Sequence, residues 1–137
     1  MKQRTYMVLI ADREKAKMFT ISAGGIEHLE EFENENIPQK VKHGDNMWDA
    51  QNKIFRHIEE HLHRHLKQIA IKVSEYVKNK NIQFIIIGGH KTLLAKIKKH
   101  LSIPIQKMVL GTFVTALNIP IFTIARHSMK VMEELEK

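Results

Sequence analysis

Apolar residues recur along this chain in two periods, and each change of period marks an element. Tyr6 to Ala11 is an apolar run that suits a strand, and Lys15 to Ile21 (KAKMFTI) alternates like a half-exposed strand. The polar triplet Asp12-Arg13-Glu14 between them predicts a hairpin turn. Ala23-Gly24-Gly25 predicts the next turn, and Ile26 to Phe32 alternates again, more weakly, as a third strand. The domain is therefore expected to open with three antiparallel strands.

From Glu33 to Met47 the sequence ENENIPQKVKHGDNM has no repeating apolar face and reads as a loop. At about 15 residues it exceeds what a simple connection needs, and such loops are often functional or mobile. Poor order is expected from Gln39 to Met47, with Trp48 anchoring the loop's end. Beyond Asp49 the spacing becomes helical, with Ile54, Ile58, Leu62, Leu66, Ile69, Val73 and Val77 forming one stripe as far as Asn79. That stripe predicts a core-facing helix about 45 Å long.

Lys80-Asn81 turns the chain into Ile82–Ile87 (IQFIII), apolar enough for a central strand covered on both faces. Gly88-Gly89 is expected to end that strand in a tight turn. Thr92 to His100 reads as a second amphipathic helix with Leu93, Leu94 and Ile97 inward, broken by Ser102-Ile103-Pro104. Lys107 to Val114 predicts another strand. Pro120, at a first helical position, opens a terminal helix that runs to Lys137.

Composition narrows the class. The chain has 137 residues, enough for one domain and too few for two cores, and 43% of them are hydrophobic. Without cysteine there is no disulfide framework, no cysteine zinc site and no thiol nucleophile, as suits a reducing compartment; the cytoplasm is expected. The apolar run Met7–Ala11 is too short for a secretory core, and nothing approaches the ~20 apolar residues of a membrane span.

The net charge of +7 is unevenly placed. Residues 1–45 carry seven Lys/Arg against eight Asp/Glu, and residues 46–137 carry fifteen against seven. Between Lys91 and Lys107 stand Lys91, Lys96, Lys98, Lys99 and Lys107 with no acid among them. Such a patch attracts phosphate backbones, although a solvated, solubilising helix face has the same composition. On the long helix Arg56, His63, Arg64 and Lys67 line the polar side, where guanidinium and imidazole groups can bond phosphate or stack on bases.

Two further patterns carry candidate chemistry. His57, Glu60 and His61 match the H-x-x-E-H pattern, in which two histidines one turn apart hold zinc and the glutamate activates water. A catalytic zinc needs a third protein ligand, and none is evident downstream, so no metal or other cofactor is expected. On the helical wheel His57, His61 and His65 flank the apolar stripe and read as boundary residues of a polar face. The turn Gly88-Gly89-His90-Lys91-Thr92 could hold a phosphate on its amides, but it has neither glycine spacing of a nucleotide loop.

The order VLIADREKAKMFTI, a glutamate-rich third strand, an irregular loop, HIEEHLHRHLKQIA, FIIIGGHKTLL and MVLGTFV resembles the central domain of the archaeal and eukaryotic class I peptide-chain release factors. The likeness is strongest to the bacterial release-factor-like group, and it covers about residues 5–114. It implies one α/β domain over 1–137: a ribonuclease-H-like mixed sheet with antiparallel N-terminal strands, flanked by helices. It also implies a translation partner, namely the ribosome with tRNA or rRNA, and neither DNA nor a membrane. In that family a Gly-Gly-Gln tripeptide before the long helix promotes hydrolysis of peptidyl-tRNA. Here the corresponding loop, 42–51, reads KHGDNMWDAQ. His43, Gly44, Asp45 and Asn46 occupy its tip, and Gln51 is the only glutamine near the helix start. The tripeptide is absent, so ribosome or RNA binding is expected without robust catalysis. Peptidyl-tRNA hydrolysis or ribosome rescue through the 42–51 loop is the alternative, and a zinc hydrolase is the weaker one. Self-association through an edge strand stays open.

Overall fold

The computed structural model describes residues 5–22, 24–34 and 47–136. Along the chain run β1 (Tyr6–Ala11), β2 (Lys15–Ser22), β3 (Gly25–Glu33), α1 (Met47–Asn79), β4 (Phe84–Gly89), α2 (Lys91–His100), α3 (Ile103–Gln106), β5 (Val109–Val114) and α4 (Ile121–Glu136). The strands form one mixed sheet in the order β3-β2-β1-β4-β5. The pairs β1–β2 and β2–β3 are antiparallel hairpins, whereas β1–β4 and β4–β5 are parallel. The expected α/β class, with antiparallel strands at the N-terminus and helices on the sheet, is what the chain adopts.

β1 lies at the centre because all six of its residues are apolar and all are buried, so it needs a strand on each side and cover on both faces. Alternation then sorts its side chains. Met7, Leu9 and Ala11 join Ile85 and Ile87 under α1 and α2, where Leu66, Ile69, Val73, Leu93, Leu94 and Ile97 complete one core. Tyr6, Val8 and Ile10 join Ile86 on the opposite face, against Ile124, Ala125 and Met132 of α4. The molecule is thus a three-layer α/β/α sandwich. Gly25, at φ 119°, makes the β2–β3 turn in a conformation that L side chains rarely adopt.

Gly88-Gly89 does not end the strand as expected. Both glycines are buried and belong to β4, paired with Ile10 and Ala11 on one side and Phe113 and Val114 on the other. Close approach is the reason: a Cβ on Gly88 would stand 2.7 Å from the Phe113 ring, and one on Gly89 would stand 2.6 Å from the Ala11 carbonyl oxygen. Other boundaries also shift: β4 begins at Phe84 and β5 at Val109, each two residues later than expected, and the expected loop loses Glu33 to β3 and Met47 to α1. The segment after α2 breaks that helix but starts the single turn of α3, with proline in its first turn. Pro120 precedes α4, its carbonyl accepting from the Thr123 and Ile124 amides, so it caps the helix and does not begin it.

The length of α1 sets the shape of the site. Its 33 residues span about 50 Å, whereas six-residue β1 spans about 20 Å. The helix runs antiparallel to β1: His65 stands at the Asp12 end of that strand, and the chain leaving Asn79 returns to its start, where the Gln83 amide bonds the Thr5 carbonyl. The 18 residues from Met47 to Arg64 therefore carry the helix about 27 Å beyond His65, past the ends of the strands. Leu66, Ile69 and Val73 are buried, and on the projecting part Phe55 is 65% exposed.

Candidate functional site

The projecting helix is tied down at its base by one histidine. His65 is fully buried, with Nε2 3.0 Å from the Asp12 carbonyl oxygen and Nδ1 2.8 Å from Asn34 Nδ2. A carbonyl can only accept, so Nε2 carries the proton and Nδ1 accepts from the Asn34 amide. The ring is thereby held as one neutral tautomer. Burial pushes its pKa down, outweighing the opposing effect of the Asp12 carbonyl. Phe32 packs edge-on against the ring at 5.9 Å. The Asp12 side chain meanwhile closes its own turn, accepting from the amides of Glu14 at 2.8 Å and Lys15 at 2.6 Å. The Asn34 amide bonds the Glu14 carbonyl at 2.7 Å. α1, the first hairpin turn and the end of β3 thus converge on His65.

His65 corrects the reading of these histidines as polar-face boundary residues, and its role was missed. A signal was present, because position 65 continues the 58, 62, 69 apolar spacing and a histidine there must be buried with both ring nitrogens partnered.

Beside this hub, Asp12, Arg13, Glu14, His90, Thr92 and Leu93 line an open depression of about 470 Å³. It sits at the start of α2, where backbone amides could meet an anion, but those amides are taken. The Thr92 amide bonds His90 Nδ1 at 3.3 Å, and the Leu93 amide bonds the His90 carbonyl at 2.9 Å. His90 acts as the cap of α2.

The basic residues fall on two helices that lie side by side. Arg56, His63, Arg64 and Lys67 are exposed on α1, as are Lys91, Lys96, Lys98 and Lys99 on α2. At 100° per residue Arg56, His63 and Lys67 fall within about 40° of one another, and Arg64 lies about 60° further round. The two helices meet through His63 and His100, whose rings stack edge-on at 5.2 Å with His63 Nδ1 3.2 Å from His100 Nε2. That contact puts Arg56, His63 and Lys67 on the same side as Lys96 and His100. Lys91 and Lys98 lie on the other flank of α2, and Lys99 points away from the core, so the lysines surround this helix instead of forming one stripe. A groove of about 430 Å³, lined by Lys67, Ser74, Glu75, Lys78, His100 and Ser102 among others, continues the shared face, and Glu75 is the one acid in it.

Acidic β3 explains why the positive face lies on this side. On the far flank of α1, Lys72 pairs with Glu30 at 3.3 Å, and Lys80 pairs with Glu27 at 3.3 Å. Lys17 reaches Glu31 at 3.9 Å. Tyr76 donates to Glu30 at 3.1 Å. The Glu30 carboxylate holds the Lys72 pKa above its ordinary value. Among the described residues no ion pair engages Lys67, Lys96, Lys98 or Lys99.

The remaining candidates are placed as follows. His57 and His61 are half-buried on α1 and Glu60 is exposed. Among the described residues no three His, Cys, Asp or Glu side chains are grouped to hold a metal. Gln51 falls within the early turns of α1. Its side chain, that of Trp48, the loop residues His43, Gly44, Asp45 and Asn46, and the expected disorder of 39–46 lie outside the described residues, whereas Met47, the last of that stretch, is the first residue of α1. Among the described residues no helix is long and apolar enough to cross a membrane.

Among curated proteins none matches the sequence. Solved structures share the fold. The archaeal translation termination factor aRF1 superposes with a TM-score of 0.58 at 14% identity, covering 96% of this chain and 40% of that one. Another structure, described only as an archaeal protein, has a TM-score of 0.57 at 13% identity, with coverages of 96% and 39%. Pelota of Archaeoglobus fulgidus has a TM-score of 0.55 at 13% identity, with coverages of 98% and 35%. The chain therefore spans 40% or less of the length of these structures. Over residues 1–133 the sequence matches the model of Bacterial archaeo-eukaryotic release factor family 10, and the chain belongs to that family.

Proposed function

We propose that the chain acts in translation as a domain that binds the ribosome or its RNA through the face shared by α1 and α2. The observation that carries this reading is the His63–His100 contact, which joins Arg56, His63 and Lys67 to Lys96 in one exposed cationic surface free of ion pairs to β3. Membership in a release-factor family supports the setting, and the fold shared with a termination factor and Pelota is consistent with it. Lysine and arginine at such a surface neutralise phosphates and release counterions, which yields affinity without sequence specificity. No catalysis is assigned to this face.

Ribosome cosedimentation over a salt series tests the proposal. Binding should fall with a log–log slope of about −0.7 to −0.9 per phosphate contact. Lys67→Glu with Lys96→Glu should weaken it and flatten the slope by about 1 per lysine removed. Unchanged binding in that double variant would remove the shared face from the reading. The second reading, hydrolysis of peptidyl-tRNA through the 42–51 loop, draws on one observation: the N-terminal end of α1 projects past the ends of the strands.

A further inference from the structure

We propose that His63 and His100 form a two-histidine site for a divalent transition metal, with Zn2+ the best fit, at the junction of α1 and α2. The donor atoms are His63 Nδ1 and His100 Nε2, 3.2 Å apart. A tetrahedral zinc with Zn–N bonds of ~2.0–2.1 Å holds its nitrogen ligands about 3.3 Å apart, so the ion can enter with little backbone movement. The rings meet at 62° with their centroids 5.2 Å apart, and in the metal-free pair the nitrogens face each other, so a rotation of the two rings is what would turn both onto one ion.

The second ring nitrogen of His100 supports the same assignment. His100 Nδ1 lies 2.8 Å from the Lys96 carbonyl and must donate to it, which leaves Nε2 as the lone pair facing His63. A carbonyl that fixes the tautomer of a ligating histidine is the usual outer partner of a metal-bound imidazole. Without metal, the neutral pair is satisfied by His63 donating its Nδ1 proton to His100. Metal binding requires only that this proton move to the His63 Nε2, a tautomer change that leaves both imidazoles neutral.

Two protein ligands make a binding site, and water or a phosphate oxygen completes the coordination. This distinguishes the pair from His57-Glu60-His61, where the pattern lies within one helix and, among the described residues, no third ligand joins it. Lys67, Lys78 and Glu75 share the groove of His100; the two ammonium groups oppose a cation and the one carboxylate only partly offsets them, so weak affinity is expected. A bound ion would pin α1 to α2. The site rests on the ring geometry and not on RNA binding.

The test is calorimetric titration of Zn2+ into the metal-free full chain at neutral pH, beside His63→Ala, His100→Ala and His57→Ala. The expected result is saturable uptake of one ion per chain, weakened at least about tenfold in each of the first two variants and unchanged in His57→Ala. Ring 15N spectra should report coordination through Nδ1 of His63 and Nε2 of His100. Circular dichroism of the metal-free variants checks that they remain folded, as the exposed position of His63 and the half-buried one of His100 allow. Absence of saturable uptake by the wild type, or loss in only one of the two histidine variants, would overturn the proposal.

Discussion

His65 shows how one side chain can decide whether a projecting helix has a base. Replacing it with leucine keeps the volume but strands the Asp12 carbonyl and the Asn34 amide inside the protein. The expected cost is about 2–3 kcal/mol, read as a lower urea midpoint with unchanged m-value. The two buried glycines offer a contrast at the same scale. An alanine at Gly89 would press its Cβ against the Ala11 backbone oxygen, which β1 cannot move, whereas one at Gly88 meets the far end of the Phe113 ring. Gly89→Ala should therefore destabilise more than Gly88→Ala, by about 1 kcal/mol or more in paired thermal melts. Equal costs would mean that β1 yields as easily as a side chain.

Among the elements, α4 is attached through a contact that gives it a pH signature. Ser128 is fully buried, and its hydroxyl bonds the Tyr6 hydroxyl while donating to the Ala125 carbonyl at 2.9 Å. Burial raises the Tyr6 pKa above 10.0, with the Ser128 bond opposing the shift. A raised folded pKa means that the neutral phenol is favoured in the native state, so this contribution is whole below the unfolded value near 10 and is lost as pH rises through the higher folded value. Thermal stability should accordingly decline above about pH 10, and Tyr6→Phe should flatten that decline while leaving the acid limb unchanged. On α1 the two flanks should separate. Lys72→Ala removes a partner of Glu30 at the surface and should leave the urea midpoint nearly unchanged, with ribosome binding intact, whereas Lys67→Ala should weaken ribosome binding with stability intact.

For the whole molecule, binding and hydrolysis make different demands on the end of α1 that projects past the strands. Release requires a water held against the ester carbonyl in a dry, ordered site, and the family's glutamine tripeptide has no counterpart in KHGDNMWDAQ. Peptide release from stalled ribosomes should therefore stay at background for the wild type, for Gln51→Ala and for a deletion of Gly44 to Asp49. Robust release that either change abolishes would reverse the preference for binding over hydrolysis.

The hydrophobic pattern alone determined the order and type of the principal elements, because burial on a strand or a helix imposes a period that local sequence must obey. The stripe from Leu62 to Val77 and the run Phe84–Ile87 needed no partner to be recognised. Patterns without a period were decided only by the fold. Gly88-Gly89 looks like a turn in isolation and becomes strand once Ala11 and Phe113 are seen to crowd it from either side. His65 looks like an edge residue until the Asp12 turn and Asn34, 53 and 31 residues away in sequence, close over its two nitrogens. The basic residues were legible as charge, but their division into a shared α1–α2 face and an opposite, acid-paired flank depends on which neighbours the sheet order places beside each helix. Charge and hydrogen-bond capacity are written residue by residue, whereas their partners are chosen by contacts between distant segments, which tertiary packing alone brings together.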